Sequence, residues 1–451
     1  MKQRLKGSLL AMLLLLTMVL SGCSGLPDLV FSPQDLYRLP ELPAKYTELN
    51  GRLNALLAEG AEYAAPLSGT NIQSVQLVDL DGDAHQEALA FLRNTADEKP
   101  LKIHIFTAEG DGYAQTGLIE ANGTSIYSVA YSDLDGDGRM ELLVGWKATA
   151  ELQVLEVYTQ RHGTLEVLLS TDYVKYTITD LDRDGRQELV ILRVDEEGGG
   201  IADYYRWQEG GELTKQFSPR ISATMMELSQ QGRLTRGTLS DGAPAVFVTG
   251  VSDMAMTDVL TLRDGELTNI MLSESTGVTK VIAPFSGLYP MDIDGDGMTE
   301  VPAPVQLPML TETGPVTQRV DWIRYNSLGK EETALRTYHD TENGWYLRLP
   351  EEWNDRLYVS RGETSGESYV TFFIWNNDLE PKPFLRITVL TGTSREIRAT
   401  RGERFVLSRQ TAAIYTAELL EANEEWKYGM TADQVREAFS LIATEWAAGD
   451  N

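Results

Sequence analysis

Four times in this 451-residue chain an apolar, β-rich run breaks into the same nine-residue acidic loop and then resumes: Asp79 to Glu87, Asp133 to Glu141, Asp180 to Glu188 and Asp292 to Glu300. Acids stand at loop positions 1, 3, 5 and 9 each time: Asp79, Asp81, Asp83 and Glu87; Asp133, Asp135, Asp137 and Glu141; Asp180, Asp182, Asp184 and Glu188; Asp292, Asp294, Asp296 and Glu300. In a tight loop such side chains turn to one point, where a hard cation such as Ca²⁺ offsets their repulsion. Gly138, Gly185 and Gly297 at position 6 allow the sharp turn, whereas the first loop has Ala84 there. That substitution predicts the weakest site in the first loop.

The flanks exclude an EF-hand, which needs a bidentate Glu at position 12 and a helix on each side. Position 12 here is Ala90, Val144, Ile191 and Ala303. Runs such as Ser74 to Val78 before a loop and Ala88 to Leu92 after it read as strands, so each loop is the turn of a β-hairpin whose glutamate opens the second strand. The pattern resembles the FG-GAP and VCBS repeats of integrin-like β-propellers. That resemblance implies calcium held between the first two strands of each blade by the sixteen acids named above.

From first aspartate to first aspartate the intervals are 54, 47 and 112 residues. The last is close to two periods, and blades need roughly 40–50 residues each. A blade without a metal loop is therefore expected through Arg233 to Gly237, Ala243 to Thr249 and Val259 to Leu262, with Ser240, Asp241 and Gly242 in place of the acidic turn. One carboxylate does not hold calcium. The expectation is a mainly β chain with a propeller of about five blades over residues 70–335, or six or seven if a terminal stretch closes the ring.

Lys2, Arg4 and Lys6 precede an apolar run from Leu9 to Leu20 that ends in Leu-Ser-Gly-Cys23. This resembles a bacterial lipoprotein signal, residues 1–22, and implies lipid attachment and palmitoylation at Cys23, the single cysteine. The expected place is extracytoplasmic, tethered to the cell membrane. Prolines 27, 33, 40 and 43 suit a tether over residues 23–44, and Tyr46, Leu49, Leu53, Leu56 and Leu57 recur at helical spacing in the 45–69 lead-in. The net charge is −28, and loss of Lys2, Arg4 and Lys6 with the leader takes it to −31. Nucleic acid and anionic lipid are poor partners for such a surface; a protein or glycan ligand is easier to accommodate.

From 336 to 451 the acidic loops stop and aromatics become dense. The run from Gly344, ended by a proline turn at Pro350, and Arg356 to Ser360, Tyr369 to Trp375, Phe384 to Leu390, Arg404 to Leu407 and Ala412 to Ala417 read as strands. Thr431 and Gln434 form a capping-box pattern ahead of Val435, Ala438, Phe439, Ile442 and Trp446, which predicts a closing helix and an α+β sandwich. The opening Gly-Trp-Tyr motif loosely resembles PsbP/DcrB-like domains.

Few groups suit catalysis. His85, His104, His162 and His339 fall in no zinc-binding spacing, and there is no nucleophile elbow, P-loop or dinucleotide fingerprint. The resulting expectation is a lipid-anchored, calcium-stabilised binding or scaffolding protein with no catalytic residues. Two alternatives stand beside it. One is a cell-surface glycan-degrading enzyme with paired carboxylates in the propeller channel; the other is an accessory subunit of an envelope complex, docking through exposed Trp345, Trp353 or Trp375.

Overall fold

The computed structural model describes residues 46–109, 112–161, 164–208, 210–309, 316–364, 366–375 and 380–442. Cys23, the tether, His162 and Trp446 lie outside them. Two compact units emerge, one made of residues up to Glu59 with Glu109–Tyr113, the other of all remaining residues. In the first, the leucine periodicity forms the helix Thr47–Ala58, with Leu49 and Leu53 buried. No helix among the described residues is long and apolar enough to cross a membrane.

The second unit is mainly β, built from six antiparallel sheets in chain order. The first holds Glu62–Tyr63, Val75–Val78, Glu87–Arg93, Leu101–Glu109 and Gly112–Ala121, and the second runs Ser125–Ser132, Glu141–Lys147, Gln153–Arg161, Thr164–Tyr173. The third runs Lys175–Thr179, Glu188–Val194, Gly200–Gln208, Glu212–Phe217, with Arg220–Ile221 at an edge. The sheet expected to lack a metal loop is the fourth, with Arg233–Thr238, Pro244–Val251, Met254–Arg263 and Glu266–Asn269, joined by Ile282–Pro284.

Each strand that follows an acidic loop in the first three sheets is a continuous apolar run, and burial on both faces explains why. Leu142, Val144 and Trp146 pack with Leu89, Phe91 and Ile103 of the first sheet. Leu143, from the other face of the same strand, packs with Tyr176, Leu189 and Ile191 of the third. Val190 and Leu192 then meet Val246 and Val248 of the fourth, whose Phe247 and Val259 meet Val301 and Tyr325 of the fifth. Apolar residues at odd and even positions thus serve successive interfaces, and the sheets stack face to face in series.

The C-terminal part departs from the sequence expectation. The fifth sheet runs Val301–Gln306, Gln318–Tyr325, Glu331–Asp340, Trp345–Leu349, Phe439–Leu441, so the 335/336 boundary cuts a strand. The capping box forms as expected, with Gln434 N donating to Thr431 Oγ1 and Thr431 N to Gln434 Oε1. The helix, however, spans only Ala432–Ala438. Phe439 and Leu441 then follow a two-residue period and pair with Leu347 and Trp345; sheet pairing and burial of Phe439 override helix continuation. The sixth sheet holds Leu357–Thr364, Glu367–Ile374, Lys382–Thr391, Ala413–Leu419 and Phe405–Arg409. Its Phe372, Phe384 and Ile387 share a core with Trp345, Leu347 and Trp353. Trp345 and Trp353 are 0% and 1% exposed, which removes them from any docking surface. No strand pairing joins the first sheet to the sixth among the described residues.

Candidate metal loops

The acidic loops share one internal wiring. Position 2 is an apolar plug, Leu80, Leu134, Leu181 or Ile293, buried in every loop, and the aspartates on either side are half-buried, apart from the exposed Asp292. The position-1 aspartate accepts from the position-6 amide: Asp79 from Ala84 at 2.9 Å, Asp133 from Gly138 at 3.0 Å, Asp180 from Gly185 at 3.1 Å and Asp292 from Gly297 at 2.8 Å. Position 5 accepts from position 7, as Asp83 does from His85 at 2.7 Å and Asp137 from Arg139 at 2.8 Å. The position-9 glutamate reaches back with Oε2 to the position-2 amide: Glu87 to Leu80, Glu141 to Leu134, Glu188 to Leu181, Glu300 to Ile293. It opens the second strand in the first three loops, as the sequence implied; in the fourth, Glu300 sits in an isolated bridge with Met291 just before the strand.

These glutamates are at most 2% exposed, yet they sit beside aspartates. Burial first, then the neighbouring carboxylates, pushes the Glu141 and Glu188 carboxyls up to about 7, and Glu87 and Glu300 also rise. All four acids of the third loop offer oxygens within 4.8 Å of one another. The other three loops bring together Asp79, Asp81 and Glu87; Asp133, Asp135 and Glu141; and Asp292, Asp294 and Glu300. Asp83, Asp137 and Asp296 stand outside those groups. Glu87 Oε1, Asp180 Oδ1 and Asp294 Oδ1 are buried with no hydrogen-bond partner. An oxygen stripped of water and given no donor is a ligand-type atom, so the donor set fits a hard divalent cation.

Ala84 adopts φ 69°, the left-handed geometry that Gly138, Gly185 and Gly297 hold at 87–90°. The first loop therefore closes like the others, with strain in place of glycine's freedom. Nothing lies within 4 Å of a Cβ built at Gly138, so the cost is backbone strain and not crowding. Ala84→Gly is expected to raise stability by about 1 kcal/mol in chemical denaturation, with m unchanged.

The loops also lie against one another in chain order. A Cβ on Gly82 of the first loop would come within 2.6 Å of Gly138 O of the second, and one on Gly136 within 3.4 Å of Arg186 of the third. Arg183 of the third donates to Gly242 O in the turn of the fourth sheet. In that turn Asp241 Oδ2 accepts from Ser327 N at 2.9 Å and Oγ at 2.6 Å, which satisfies the one carboxylate without a metal.

Sequence reasoning missed the residue opposite each glutamate. The registered pairs Ala88↔Phe106, Leu142↔Tyr158, Leu189↔Tyr205 and Val301↔Ile323 put Thr107, Thr159, Arg206 and Arg324 in one equivalent position, beside Glu87, Glu141, Glu188 and Glu300. Thr159 Oγ1 donates to Glu141 Oε1 at 3.0 Å. Arg206 touches the outer acids, Asp182 at 3.0 Å and Asp184 at 3.6 Å, through a side chain 39% exposed. Arg324, only 14% exposed, reaches Asp294 at 2.9 Å, Asp296 at 2.6 Å and Glu300. A guanidinium thus lies among the acids of the fourth loop, where the sequence implied calcium. Only the register between strands could have revealed it.

A separate cavity of about 810 Å³ is lined by the first strands of the second, third and fourth sheets together with residues 69–71, 230–232 and Tyr289, and no Asp or Glu is among the described residues that line it. His85 is solvent-facing, His104 buried with Nδ1 3.3 Å from Gln115, and His339 half-buried against Thr337 and Tyr346.

Residues 79–144, spanning the first two loops, match the family model of the FG-GAP-like repeat. No curated protein matches. Among solved structures, the chain is similar to the rhamnogalacturonan lyase YesW (13% identity, 62% of this chain and 68% of that one, TM-score 0.30) and to the Bacillus licheniformis rhamnogalacturonan lyase PL11 (11%, 69% and 74%, 0.32). It is also similar to Saccharomyces cerevisiae Sqt1 (11%, 79% and 99%, 0.30). At these values the likenesses say nothing of what this chain binds or does.

Proposed function

We propose that this chain is a calcium-stabilised binding protein whose stacked sheets act as propeller-like blades, held outside the cytoplasmic membrane by a lipid on Cys23. One observation carries the metal reading: buried carboxylate oxygens without donors, Glu87 Oε1 and Asp180 Oδ1, sit inside acid clusters of an FG-GAP-like pattern. Asp79, Asp81 and Glu87 would hold one ion, Asp133, Asp135 and Glu141 a second, and Asp180, Asp182, Asp184 and Glu188 a third. Arg324 serves in place of a fourth. Calcium would supply charge neutralisation across each hairpin and no chemistry on a substrate. The glycan-degrading alternative needs two carboxyls facing each other in a cleft, and among the described residues the cavity lining offers none.

Calcium titration calorimetry on the full-length protein tests the metal assignment. Three calcium ions are expected, and Asp135→Asn should lower the count by one. Absence of calcium binding would sink the reading.

A further inference from the structure

The first three acidic loops touch through the same groups that hold their aspartates. Gly82 N donates to Asp79 Oδ1 at 2.8 Å, and Gly138 N donates to Asp133 Oδ2 at 3.0 Å. Gly82 lies so close to Gly138 O of the second loop that a Cβ on it would stand 2.6 Å away. Beside that contact Met140 N donates to Leu80 O at 2.9 Å, while Leu80 N donates to Glu87 Oε2 at 2.9 Å. Leu80 thus holds the glutamate of its own loop and the backbone of the next. The step repeats onward. Gly136 N donates to Asp133 Oδ1 at 2.7 Å, a Cβ on Gly136 would lie 3.4 Å from Arg186 Cγ, and Arg186 N donates to Asp184 Oδ1 at 2.8 Å. At the same position of the fourth loop Gly295 holds φ 78°, against 74° for Gly82, and no atom of the described residues lies within 4 Å of a Cβ built on it.

An ion that fixes Asp79 and Glu87 therefore also fixes the backbone that presents Asp133 to a second ion. Two effects compete. Ordering completed by the first ion spares the second, and fixing one residue's backbone in advance is worth about tenfold in affinity. Repulsion between the ions opposes it, but salt at about 0.15 M damps that over a Debye length of about 8 Å. Ordering wins. We infer that the first three loops load calcium cooperatively, each filled loop raising the affinity of its neighbour through the Gly82–Gly138 and Gly136–Arg186 contacts. The inference rests on the calcium reading and adds its regulation: the array fills, and its sheets firm up, over a narrow range of calcium concentration.

Hydrogen exchange across a calcium titration of the full-length protein gives a midpoint for each loop from the strand that follows it, Glu87–Arg93, Glu141–Lys147 or Glu188–Val194. Asp79→Asn should raise the calcium midpoint of Glu141–Lys147 about fivefold or more, and by reciprocity Asp135→Asn should raise that of Glu87–Arg93 by a similar factor. Charge alone gives the opposite sign. The emptied first loop of Asp79→Asn keeps three acids, a charge of −3 against −2 for four acids around Ca²⁺, so electrostatics by itself would tighten the second loop. Gly82→Ala, which drives a Cβ into Gly138 O, should also raise the midpoint of Glu141–Lys147. Gly295→Ala, alike in backbone strain and clear of neighbours, should leave it in place. A Glu141–Lys147 midpoint indifferent to both Asp79→Asn and Gly82→Ala overturns the inference, and leaves the metal reading intact while calcium still protects the strands. No protection by calcium at any of the three strands overturns the metal reading and the cooperativity with it.

Discussion

Stripping calcium from the full-length protein with EDTA should lower its melting temperature by about 5 °C if roughly 400 residues melt together, and by about 10 °C if a unit of about 200 residues melts separately. At about 1 mM calcium and a dissociation constant of about 0.1 mM, each ion bound only to the folded state adds roughly 1.4 kcal/mol, and three add about 4 kcal/mol. The cost without the ion is visible in the site itself, where burial and neighbouring aspartates hold the Glu141 and Glu188 carboxyls up to about 7. Magnesium should restore less, because it keeps its waters and an octahedral shell that a flexible loop of carboxylates does not impose. Differential scanning calorimetry in EDTA, calcium and magnesium reads this directly. Equal melts in all three, with no calcium found by elemental analysis, would leave the loops as acidic hairpin turns.

Much of the repeat architecture was legible because it is local. The apolar residue at position 2 and the acids around it lie within nine residues, and alternation of loop and strand at a fixed interval located even the fourth sheet, whose turn has only Asp241. What escaped is set by register between strands distant in sequence. Thr107, Thr159, Arg206 and Arg324 follow their glutamates by 18–24 residues and look like ordinary strand positions until the ladder is drawn. The end of the fifth sheet was misread because Val435, Ala438, Phe439 and Ile442 trace a helical face while Phe439 and Leu441 trace a two-residue period over the same short span, and the free edge of Trp345–Leu349 decides between them.

Arg324→Thr should have opposite consequences with and without calcium. In EDTA the variant loses the cation shared by Asp294, Asp296 and Glu300, and leaving such charges half-buried without a partner costs roughly 3–5 kcal/mol. In calcium the fourth loop then presents what the first two present, an acid cluster facing a threonine, so a fourth ion should bind and most of that loss should be recovered. Titration calorimetry reads the count rising from three to four, and denaturation in the two buffers reads the recovery. Asp292→Asn in the otherwise native chain is the companion measurement, because it should leave the count at three. Equal destabilisation in both buffers with an unchanged count would make Arg324 a packing residue. The fourth loop is the one where a tethered cation has most to do. Before it stands only the isolated bridge Met291↔Glu300 in place of a paired strand, so its hairpin has little ladder of its own. A guanidinium bonded to the chain neutralises that loop at any calcium concentration. The strand Val301–Gln306 should accordingly keep its amide hydrogen-exchange protection in EDTA, while Glu87–Arg93 and Glu141–Lys147, whose loops face threonines, lose theirs first.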